Sequence, residues 1–197
     1  MSRFALFASA FAFAFAASVH AQTFPQPGKP VRIVVPFPPG GQTDIQARAI
    51  AQKMGATLGA AVIVENKPGA STVIGAREVQ KAAPDGHTLL YTIATHVPYK
   101  GSGDALAGLP TMREQGFDVG MWSYLWFWGP AGMPSATVDT LYRHLAFAIK
   151  HPDTVKLFAD GGSEASGMTP AEMAKEVRRL DAGWSAIIRE VGIKLDQ

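Results

Sequence analysis

No cysteine occurs anywhere in the sequence, which excludes a disulfide framework, thiolate metal sites and a thiol nucleophile. Charge is also scarce, at 17% of residues, and the two signs nearly cancel. Arg3 is the only charged residue among the first 21, so the rest of the chain carries 17 bases against 16 acids. That balance suggests neither nucleic acid nor an anionic membrane as partner. Catalytic signatures are missing as well. No G-x-x-x-x-G-K-[ST] or G-x-G-x-x-G turn, no H-E-x-x-H pair and no G-x-S-x-G elbow is present. His87, His96, His144 and His151 are spaced too widely for a helical metal pair, so we expect no metal, no cofactor and no enzyme.

One long apolar run does exist. After Arg3, Phe4 to Val19 is apolar and Ala-rich, and Val19-His20-Ala21 has the small-residue form of a cleavage site. Residues 1–21 therefore read as the signal peptide of an exported protein; the other reading is an N-terminal membrane anchor, for which the run is short. The remaining chain has the length of one ordinary domain, with little room for two.

"VRIVVPF" (31–37) is a β-branched, nearly continuous apolar run, the pattern of a strand buried on both faces. Asp44 can cap a helix to about Leu58, with Ile45, Ala49 and Met54 toward a core and Gly59 as terminator. "AVIVEN" repeats the strand, breaking at Lys67-Pro68-Gly69, and a helix from about Thr72 to Ala82 follows. "HTLLYTIAT" (87–95) is a third strand. Strand, helix, strand, helix, strand is the start of a parallel α/β sheet.

Later segments resume that order. Ser135 to Lys150, behind Pro134, predicts a helix with Val138, Leu141, Leu145 and Ile149 on one side. A short helix from about Pro152 to Ala159 ends at Gly161-Gly162. Thr169-Pro170-Ala171-Glu172 is a capping box before a helix whose Met173, Val177, Leu180, Trp184, Ile187 and Val191 form one stripe. Ser163, between these helices, fits a loop residue. Residues 95–116 contain neither a full strand nor a full helix. "FDVGMWSYLWFWGP" puts Leu125 and Phe127 on one face of a strand and Tyr124, Trp126 and Trp128 on the other. It is either an interior strand or an aromatic face that has lost its cover.

The most suggestive local feature is "PFPPGGQTD" (36–44). A strand, a turn freed by Gly40 and Gly41 and a helix start would aim unpaired N–H groups beyond the strand's carboxyl end, which suits a carboxylate held by neutral donors. A plain strand-to-helix turn is the alternative. Asp44 could act as an acid in principle, but a capping carboxylate is already committed.

"KPVRIVVPFPPGGQTDIQARAIAQKM", "VIVENKPGA" followed by "IGAREVQKAAPDGHTLLY", "VPYKG", "GLPTMREQGFD", "GPAGMPSATVDTL" and "VGIKL" together resemble the Bug-type substrate-binding receptors of tripartite tricarboxylate transporters. The resemblance implies a type II-like periplasmic binding protein, a three-layer α/β lobe with a largely parallel sheet plus a second lobe. Such a receptor clamps a small carboxylate and delivers it to membrane permease subunits. Carried onto this chain, it implies ligand contacts at Phe37, Pro39, Gly40, Gly41, Thr43 and Asp44, flanked by Gly69, Ala70 and Ser71, with Thr95 at the end of the third strand. After "NKPGA" the family usually continues with more Gly and an Asn, where this chain has Ser71-Thr72-Val73.

The family also carries long segments before and after "VPYKG", which here are nearly fused to their neighbours. The implied organisation is 1–21 signal peptide, 22–95 first part of lobe 1, 96–110 remnant of lobe 2 with its joins, and 111–197 second part of lobe 1. With the second lobe mostly missing, the expected function is a receptor of impaired affinity. The alternatives are a degenerate fragment without binding, or an interaction module that self-associates through the exposed inter-lobe face.

Overall fold

The computed structural model describes residues 23–94 and 124–191. Four strands, β1 (Val31–Val35), β2 (Val62–Asn66), β3 (Thr88–Ala94) and β4 (Tyr124–Trp128), form one sheet in the order β2-β1-β3-β4. β1 runs parallel to both neighbours, with Val31 opposite Val62 and Ile33 opposite Leu89, while β4 is antiparallel to β3. Five α-helices accompany it: α1 (Gln42–Leu58), α2 (Val73–Gln80), α3 (Ser135–Lys150), α4 (Pro152–Asp160) and α5 (Pro170–Val191), with a 3₁₀ turn at Ala70–Thr72. The fold class read from the sequence, an α/β lobe with a largely parallel sheet, is the one observed.

The apolar run of β1 explains its central place. Ile33 and Val35 point into a core with Ala47, Ile50 and Met54 of α1 and Leu141 and Leu145 of α3, whereas Val34 joins Leu90 and Val79 beneath α2. Helices thus cover both faces of the strand, so neither face can alternate with polar residues. α1 departs from the expected face. Ile45 is 47% exposed, and the buried positions include Ala47, Ile50, Met54 and Leu58. The spacing of three and four is kept, but the sheet selects a stripe rotated away from Ile45.

Ends follow local chemistry. Gly59 closes α1 in the left-handed conformation (φ 68°), its N–H donating to Gly55 O. The capping box of α5 forms reciprocally: Glu172 N donates to Thr169 Oγ1 at 3.2 Å, and Thr169 N donates to Glu172 Oε2 at 2.8 Å. Two cap assignments need correction. Gly41 is the N-cap of α1, with Asp44 in its first turn, and Pro134 is the N-cap of α3 rather than its first helical residue. Ser163 lies in the connection between α4 and α5.

β4 divides its faces as its alternation predicts. Leu125 and Phe127 pack on the larger core, and Trp128 packs on the smaller one with Val34 and Leu90. The tryptophan face is a ladder, Tyr124 stacked on Trp126 and Trp126 edge-on to Trp128, with Trp126 buried. In the described sheet β4 has β3 as its one paired neighbour, so it is a terminal strand there and not an interior one.

His87 is fixed by structure. Gln26 N donates to its Nε2 at 3.2 Å, which leaves the proton on Nδ1 to donate to Pro30 O at 3.1 Å. Among the described residues no helix is long and apolar enough to cross a membrane, and no group of three His, Asp or Glu side chains could hold a metal ion. The expected signal peptide, the lobe 2 remnant at 96–110 and Thr95 lie outside the described residues.

Candidate functional site

β1 ends at Val35, and the chain turns over Pro36 to Gly41 before α1 begins at Gln42. The turn requires φ 83° at Gly40, which a side chain would strain. Phe37 is half-buried, Pro39, Gly40 and Gly41 are exposed, and Thr43 and Asp44 are buried. The amides of Gln42, Thr43 and Asp44 are the first-turn donors that a helix leaves without an intrahelical acceptor. They sit beyond the carboxyl end of a parallel strand, where α/β sheets bind ligands.

The chain's own carboxylate fills part of this end. Asp44 Oδ2 accepts from Gly40 N at 2.9 Å and from Arg48 Nε at 3.0 Å, and Oδ1 accepts from Asn66 Nδ2 at 3.0 Å. Asn66 Nδ2 also donates to Phe37 O, and Arg48 Nη2 donates to Asn66 Oδ1. The guanidinium of Arg48, more than the amides of Gly40 and Asn66, holds the Asp44 carboxyl down at about 2, against the opposing effect of burial. Gly40 N–H is consequently spent inside the protein. The site left to a ligand is the row of first-turn amides beside a half-exposed, already paired Arg48.

Lys67 N donates to Val35 O, so the chain leaves β2 alongside the exit of β1. Gly75 of α2 lies against Pro36, where a Cβ would come within 2.9 Å of the proline ring. This contact brings the exposed Gly69, Ala70 and Ser71 to the same end of the sheet as the β1–α1 turn. The segment is conformationally costly: Ala70, Ser71 and Thr72 all have positive φ, at 44°, 50° and 78°. Arg48 and Asn66 were not singled out by sequence. The signal was available in Asp44 and Arg48 four apart on one helix, but Asn66 reaches them only through the β1–β2 pairing.

Known proteins resemble this chain in sequence and in fold. The family profile of the tripartite tricarboxylate transporter family receptors matches residues 46–100. Protein BugT of Bordetella pertussis is 48% identical over 75 residues, which is 38% of this chain and 22% of that protein. A UPF0065 protein from the gbd 5′ region of Cupriavidus necator is 32% identical over 163 residues, 80% of this chain and 46% of that protein. Among solved structures, a periplasmic transporter superposes with a TM-score of 0.73 at 24% identity, covering 86% of this chain and 99% of the other. The periplasmic binding protein BugD gives 0.71 at 21%, with the same coverage. MatC from Rhodopseudomonas palustris, solved with bound malate, gives 0.67 at 21%, covering 83% of this chain and all of the other. At these identities the structural likeness is one of fold.

In fold, the chain therefore resembles an α/β lobe of the periplasmic solute-binding proteins. More narrowly, residues 46–100 match the receptors of the tripartite tricarboxylate transporter family, a family of solute receptors rather than of enzymes, and the chain is similar in part of its sequence to BugT and in fold to BugD. It spans less than half the length of the curated relatives named.

Proposed function

We propose that this chain is a periplasmic receptor for a small carboxylate destined for the permease subunits of a tripartite tricarboxylate transporter, and that it holds its ligand weakly because lobe 2 is mostly missing. The observation that carries the reading is the β1–α1 turn, with its first-turn amides turned outward past the end of β1 and Gly69 to Ser71 beside it. The malate bound to a relative of the same fold supports the choice of ligand class. Phe37, Pro39, Gly40, Gly41 and Thr43 shape or supply the contacts, Thr95 is an expected further contact, and Asp44 holds the turn in shape.

Weak binding follows from what a receptor cleft does. Enclosure between two lobes removes water from the ligand and doubles the hydrogen bonds to it. A carboxylate on one lobe remains hydrated, and a dissociation constant of about 1 mM corresponds to only about −4 kcal/mol. Titration calorimetry of the purified chain with malate is expected to give millimolar or weaker affinity, with NMR shifts confined to the amides of residues 40–44. Micromolar binding would overturn the impairment; no shift at tens of millimolar malate would overturn the receptor reading.

The alternative of an interaction module draws support from α5, none of whose described side chains is buried although Met173, Val177 and Leu180 form an apolar stripe. A stable dimer that Leu180→Glu disrupts would favour it.

A further inference from the structure

A cavity of about 850 Å³ lies between the β3–β4 half of the sheet, α3 and the α4–α5 connection, with Gln42 of α1 at its edge. The half-buried Leu125 and Phe127 wall it on the sheet side, and Val138, Tyr142 and Ile149 on the helix side, while Leu89, Tyr91 and Leu141 are themselves almost fully buried. The Phe127 ring is backed by the buried Tyr91 ring, with centroids 4.6 Å apart. The volume falls in the range of small-molecule sites, roughly 300–1,000 Å³.

The charge of the lining decides what could enter. Among the described residues that line the cavity, Glu164 is the single charged side chain, and no Lys, Arg or His accompanies it. A carboxylate placed there would lose its hydration without gaining a cation, and burial of an unpaired charge is strongly unfavourable. Polar groups do occur at one edge. Gln42 Nε2 donates to Gly161 O at 2.6 Å and to Ser163 Oγ at 3.1 Å. That leaves Gln42 Oε1 with accepting capacity and the Ser163 hydroxyl proton available to donate.

We propose that this cavity is a second binding site, for an uncharged, largely apolar molecule that carries one hydrogen-bonding end. The apolar body lies against Leu125 and Phe127, and the polar end meets Gln42 and Ser163. The site needs no second lobe, because its walls belong to one lobe, and it is independent of any carboxylate at the β1–α1 turn.

Two dyes with the same ring system separate the possibilities. N-phenyl-1-naphthylamine is neutral, and 8-anilino-1-naphthalenesulfonate adds a sulfonate. The neutral dye is expected to bind the purified chain saturably at one per chain, at least tenfold tighter than the sulfonate, and to remain bound in excess malate. Ala146→Trp, which projects bulk into the cavity from α3, is expected to weaken the neutral dye at least tenfold without lowering the thermal midpoint. Should that variant fail to fold, Ile149→Phe on the same wall replaces it. Phe147→Ser removes an exposed side chain outside the cavity and is expected to leave dye binding unchanged. Non-saturable binding, equal affinity for the two dyes, or full binding by a folded Ala146→Trp variant would overturn the proposal.

Discussion

Asp44 concentrates the chemistry of the turn in one side chain. Its carboxyl is buried and held at about 2 in the folded chain, against an ordinary value of 3.8. A depressed value means that the ionised form stabilises the fold above about pH 4, and that this contribution, about 2 kcal/mol, disappears as pH falls from 4 toward 2. Asp44→Asn is therefore expected to lose about 2 kcal/mol at neutral pH and to flatten the stability profile between pH 4 and 2. Urea unfolding across that range checks it, and an unchanged acid limb would count against the Arg48 pairing. Thr72 is the converse case, a β-branched residue at φ 78°. Left-handed backbone costs an L-residue roughly 1–2 kcal/mol, which Gly avoids at some cost in unfolded-state entropy. Thr72→Gly should then raise stability by about 1 kcal/mol in the same measurement. The resemblance put Gly and Asn in this part of the loop, so the departure noted in the sequence coincides with the left-handed run.

At the level of elements, α1 meets β3 through an awkward polar pair. Tyr91 Oη donates to Gln46 Oε1 at 3.3 Å, while Gln46 Nε2 is buried without a hydrogen-bond partner. Burial also raises the Tyr91 phenol above its ordinary value, so the hydroxyl stays protonated. Leaving one buried partner unsatisfied costs about 1–3 kcal/mol, whereas replacing both by apolar groups is close to neutral or favourable. The double variant Gln46→Leu/Tyr91→Phe is expected to be more stable than either single variant, and a thermal-unfolding cycle measures the coupling. Element ends were legible because caps are local: Gly59, the Thr169–Glu172 box and the Ser135 to Lys150 helix all stand where residue chemistry puts them. Faces were less legible. Ile45 satisfied the spacing for the α1 core stripe but is exposed, since the orientation of a helix on a sheet depends on the sheet.

For the whole molecule, the governing fact is that the chain spans less than half of the curated relatives it matches. If the weak point is a missing opposite jaw, then inserting between Thr95 and Gly116 the segment that a full-length relative carries there should tighten malate binding at least tenfold, about 1.4 kcal/mol. Calorimetry on the chimera tests this, and unchanged affinity in a folded chimera would locate the weakness in the turn itself.

The sequence by itself determined the strands, most helix boundaries and the β1–α1 turn, because period, capping residues and glycine conformation act within a few positions of the chain. Tertiary structure alone decided that Asp44 shares its carboxylate with Gly40, Arg48 and Asn66, and that Leu125, Phe127 and Tyr142 border a cavity. Those relations join residues distant in sequence, and only the pairing of strands and the seating of helices on the sheet bring them within reach of one another.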